Sequence, residues 1–93
     1  MSIMANFYDN LEYDTAMEIN LLSQLIYELR DNYKAVLSPY GAEDEAALLL
    51  QIQGGAVAEH PAYEHYLAAR ILADTRETVR AVASERLKEA NQK

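Results

Sequence analysis

Between Ile19 and Val36 the apolar positions fall at Ile19, Leu22, Ile26, Leu29, Tyr33 and Val36, in alternating steps of three and four. That is a heptad seam, the mark of a helix packed lengthwise against another helix. Leu21 and Leu25 widen it sideways. At about 100° per residue the stripe covers roughly 160°, against about 100° for an ordinary amphipathic face. One antiparallel neighbour cannot cover that width, so the pattern predicts a further helical partner. The first helix is predicted to start at Asp9 or Asn10, either of which is a good N-cap, and to run to Leu37. Ser38-Pro39 stops it, because the residue before proline avoids α geometry. Met1 to Tyr8 are expected to fray.

A second, short helix is predicted from Glu43 to Gln53. Glu43-Asp44-Glu45 forms an acidic first turn, Ala46 to Ile52 is a strong helix former, and Gly54-Gly55 ends it. At that length it is marginal alone and must pack on something. A third helix is predicted from Pro61, a preferred first helical residue, to Ala90. Its expected inward stripe is Ala68, Leu72, Thr75, Val79, Val82 and Ala83, small enough for close approach. Asn91-Gln92-Lys93 should fray.

The fold class is therefore all-α: one domain over residues 1–93, arranged as long helix, short helix, long helix, the long pair antiparallel. The width of the first stripe adds the expectation of a homodimer, completing a helical bundle. The interface residues so predicted are Ile19, Leu21, Leu22, Leu25, Ile26, Leu29, Tyr33 and Val36, with Leu72 and Val79 from the third helix. With only 3 glycines and 2 prolines, the chain lacks the turns an all-β fold needs.

Charge adds an orientation. The net charge is −7. Residues 1–59 hold ten acids and two bases, Arg30 and Lys34, whereas residues 60–93 hold five acids and six bases. Antiparallel packing sets the acidic start of the first helix (Asp9, Glu12, Asp14, Glu18) beside the basic end of the third (Arg80, Arg86, Lys88). Such exposed pairs orient more than they stabilise. An acidic chain without a basic patch argues against nucleic acid and against a basic membrane-surface helix. The longest uninterrupted apolar run, Ala46 to Leu50, is far too short to span a bilayer. The N-terminus lacks a basic region and an apolar core, so it does not read as a secretory signal. With no cysteine, disulfides, thiolate metal sites and thiol catalysis are excluded together. The expected location is the cytoplasm.

Candidate chemistry is sparse. Both histidines lie in Glu59-His60-Pro61-Ala62-Tyr63-Glu64-His65-Tyr66. His60 and Glu64 are spaced i, i+4, and with His65 they form a weak metal-ligand candidate suited to zinc, iron or manganese. The Glu-x-x-His spacing of ferritin-like bundles is missing, because Glu64 and His65 are adjacent. Capping and surface placement are the simpler reading. Seven of the eight aromatics are tyrosines, a residue enriched at interfaces, and Tyr63 with Tyr66 form a possible partner patch. Glu43-Asp44-Glu45 could mimic phosphates on an inhibitor of a basic protein, although an acidic first turn explains it more simply. No phosphate loop, nucleophile elbow or cofactor motif is present. The expectation is a non-enzymatic interaction or regulatory protein without a cofactor. A metal-binding helical protein and an acidic inhibitor are the alternatives.

Overall fold

A computed structural model describes the backbone of residues 3–91 and the side chains of residues 13–91. All three helices are present, and no strand occurs among the described residues. α1 spans Ile3–Leu37, α2 spans Glu45–Gln53 and α3 spans Glu59–Asn91. α1 begins well before Asp9, contrary to the expected start: Ile3 to Tyr8 are helical rather than frayed. No glycine or proline interrupts the chain before Pro39, so a good cap residue at position 9 or 10 is simply passed over. Side-chain expectations for Asp9 and Glu12 lie outside the described residues, as do Met1, Ser2, Gln92 and Lys93.

The punctuation follows local chemistry. After Leu37 a single 3-10 turn, Ser38–Tyr40, ends at Gly41, whose φ of 62° is left-handed. Asp44 is extended and caps α2 by accepting a 2.8 Å hydrogen bond from the Ala47 N–H. α2 thus begins two residues later than predicted, and the acidic cluster is a helix start. Gly55, with φ of 75°, closes the far side. In α3, His60 is non-helical (φ −107°, ψ 126°), so the continuous helix begins at Pro61 as expected.

α1 and α3 pack along their lengths as an antiparallel hairpin, with α2 against α3 near the closed end. Two contacts fix the register: Glu18 meets Arg86 at 3.1 Å, and Tyr40 hydrogen-bonds His65 Nδ1. The core is small. Leu37, Leu48, Ala62 and Ala69 form its centre, ringed by Tyr33, Val36, Tyr40, Ile52, Val57 and Tyr66. Leu29 and Ala83 are the other buried apolar residues among those described. The inward stripe of α3 is rotated from the one expected. Ala62, Ala69 and Ala83 are buried and Arg76 half-buried, while Thr75 and Val82 are exposed. A charged residue stands at every-seventh position 76 of an otherwise alanine series, which hides the true register. The Arg76 stem can lie along apolar surface.

Candidate functional site

The predicted interface residues divide in two. Leu29 is buried, and Ile19, Leu22, Ile26, Tyr33, Val36, Leu72 and Val79 are half-buried along the line where α1 and α3 meet. This seam is used within the chain. Leu21 and Leu25 are not: they remain 58% and 39% exposed. On α3, Ile71 at 64% and Val82 at 41% are likewise exposed.

Heptad geometry places these four on one side of the hairpin, with Leu21, Leu25 and Val82 near one level and Ile71 nearer the closed end. With Ile19, Leu22, Ile26, Leu29, Tyr33 and Val36 facing α3, Leu25 and Leu21 occupy one flank of α1. With Ala62, Ala69, Leu72, Arg76, Val79 and Ala83 facing α1, Val82 and Ile71 occupy the corresponding flank of α3. In an antiparallel pair, corresponding flanks meet on one side of the hairpin. The opposite flank shows the same rule, since Leu37 and Tyr66 lie on it and share the core cluster with Leu48 of α2. α2 therefore covers the closed end of one side and leaves the aliphatic side open.

The same bookkeeping sorts the charges. Over the described side chains of the two helices, the aliphatic flank carries Asp14, Glu18, Glu28, Glu64, Glu85 and Glu89, of which Glu18 and Glu89 meet Arg86 and Glu85 meets Lys88. The flank that α2 partly covers carries Arg30, Lys34, Arg70, Arg80 and Glu77 on α1 and α3, and the start of α2 adds Glu43, Asp44 and Glu45. Among the described side chains the expected cross-helix complementarity is realised in one pair, Glu18 with Arg86. Arg80 instead meets Glu77 and Lys88 meets Glu85, both on α3.

The shape leaves much surface uncovered. The chain measures 69 × 19 × 16 Å with a radius of gyration of 19.6 Å, against about 12 Å for a compact domain of this length. It exposes 6902 Å², where a compact monomer of this mass exposes about 5400 Å².

The remaining candidates are more self-contained. His60 Nδ1 lies 2.7 Å from Glu64 Oε1 on an exposed turn. His65 points elsewhere, its Nδ1 engaged by the Tyr40 hydroxyl. Among the described residues no three His, Asp or Glu side chains are grouped as a metal site requires. Tyr63 is exposed, whereas Tyr66 is half-buried beside the α2 core, their rings 5.9 Å apart. The Tyr33 hydroxyl donates to the Glu45 carboxylate, and burial together with that acceptor pushes its pKa up to about 12. Arg30 lies over the Tyr27 ring at 5.1 Å. The buried Nε atoms of Arg30 and Arg76 have no hydrogen-bond partner among the described residues.

Among the described residues no helix is long and apolar enough to cross a membrane. Residues 3–91 match the Uncharacterized protein MJ0235 family, and the chain belongs to it. No curated protein and no solved structure matches the chain.

Proposed function

We propose that this member of the MJ0235 family is a non-enzymatic interaction protein that works by self-association, with a homodimeric helical bundle as its simplest form. The observation that carries this reading is the aliphatic side of Leu21, Leu25, Ile71 and Val82, left open on a hairpin with six buried apolar residues among those described. A second copy laid on that side removes aliphatic surface from water, which is the main driving force for association.

Size-exclusion chromatography with light scattering, run over a range of micromolar concentrations, tests the reading. The expected result is a mass above the 10.5 kDa of one chain, rising with concentration. A mass of one chain throughout would overturn it.

A further inference from the structure

We infer that the middle of the hairpin holds an oxyanion-binding site of phosphate type, built on Arg76 with Arg30 beside it. Arg76 stands seven residues from both Ala69 and Ala83, which are buried, so its base lies on the inward face of α3. The residue is half-buried and its Nε is covered. What it shows to solvent is therefore its terminal Nη pair. Among the described residues no carboxylate forms an ion pair with it.

The register brings Arg30 to the same level. Glu18 meets Arg86 and Tyr40 meets His65, so Arg76 stands opposite residues 28 and 29. That is within two residues of Arg30, or about 3 Å along the axis. Arg30 lies seven residues from Leu37, which packs with Leu48 of α2, and so faces the flank that α2 partly covers. Arg76 leans to the same side, because at about 100° per residue it stands roughly 40° from Arg80 on that flank. The Nε of Arg30 is covered too and lacks an acceptor among the described residues. The ring of Tyr27 backs its guanidinium at 5.1 Å.

Two guanidinium groups at one level repel each other, and covered donors without acceptors cost stability. The neighbouring acids remove only part of this charge. Asp31 meets Arg30 through its Nη2 atom and Glu77 meets Arg80, each at 3.5 Å. At the start of α2, Asp44 caps its helix and Glu45 accepts from Tyr33. Arg76 keeps an unmatched charge. Alanine fills the equivalent seam positions 62, 69 and 83 without that cost. Local rules broken at a cost in stability concentrate at functional positions. The residue placed here is the one whose planar fork grips oxyanions bidentately. Two forks offer more donors than the two oxygens of a carboxylate use, whereas a phosphate has oxygens for both.

The test titrates inorganic phosphate calorimetrically into the full-length chain, in low-salt buffer free of other oxyanions. Saturable binding of one phosphate per chain is expected. Arg76→Leu should keep the fold and lose the binding. Arg76→Lys keeps the charge without the fork and should bind about tenfold or more weakly. Arg70→Gln removes an exposed base on the same flank and should leave binding unchanged. Circular dichroism checks that each variant retains the helical content of the parent, and Arg76→Lys carries the test should Arg76→Leu lose it. A second titration with phenyl phosphate separates two sources of the anion. Tighter binding than inorganic phosphate assigns the site to a phosphoryl group on an organic carrier, and binding no tighter assigns it to the free ion. A parent without saturable binding, or an Arg76→Leu or Arg76→Lys variant that binds like the parent, overturns the site. Equal weakening by Arg70→Gln and Arg76→Lys would show diffuse attraction to surface charge and overturns it as well.

Discussion

Replacing Leu48 by alanine should both destabilise the fold and release Tyr33. Leu48 is 0% exposed and sits in the central cluster with Leu37, Ala62 and Ala69. Two of those three neighbours are alanines, whose side chains cannot move to fill a void. Leu48 is also the only fully buried residue of α2. Buried Leu→Ala changes cost 2–5 kcal/mol, rising with the cavity left behind, and this setting argues for about 3 kcal/mol. At about 4–8 °C per kcal/mol for a domain of this size, Tm should fall by roughly 12–24 °C. A helix of 9 residues has little stability of its own, so loosening Leu48 also frees Glu45 from Tyr33. Denaturant unfolding measures the first effect. Phenolate absorbance against pH measures the second: one tyrosine should lose its late titration. A cost below about 1 kcal/mol, an ordinary surface value, with the late tyrosine unchanged, would refute this account of how α2 is held.

Two further outcomes follow from single side chains. Burial and the Glu45 acceptor favour the neutral Tyr33 phenol, placing its folded pKa near 12 against 10.0 unperturbed. This contribution is fully present below pH 10 and is lost as pH rises toward 12. Tyr33→Phe should therefore flatten the alkaline fall in unfolding free energy, and an unchanged slope would contradict the assignment. The buried Nε of half-buried Arg76 has no hydrogen-bond partner among the described residues. An unsatisfied buried donor costs about 1–3 kcal/mol, so Arg76→Leu, which removes it, should raise stability by about 1 kcal/mol in denaturant unfolding. A loss of that size would show that the guanidinium has a partner the seam depends on.

The elements were legible from local chemistry. Proline at 39, glycine at 41 and 55, and proline at 61 place the breaks, and the seam from Ile19 to Val36 names the face of α1 that meets α3. The start of α1 was not legible, since a cap residue marks a boundary only where the chain beyond it stops being helical. The register of α3 was hidden by Arg76, whose charge reads as outward although its stem packs inward. That one residue moved Thr75 and Val82 from the expected inner face to the outer one. It also concealed Ile71 and Val82 as companions of Leu21 and Leu25. The charge difference between the two halves of the sequence was visible, and among the described side chains one cross-helix pair, Glu18 with Arg86, expresses it.

The claim that matters most is that the aliphatic flank is covered by another copy of the chain. Thr75 is exposed on that flank, between Ile71 and Val82, and the chain has no cysteine of its own. Thr75→Cys therefore accepts a single environment-sensitive fluorophore. Titrating the labelled chain with unlabelled parent should shift the emission to the blue and saturate, as the label leaves water. Emission that stays at the water-exposed wavelength throughout the titration would contradict the account.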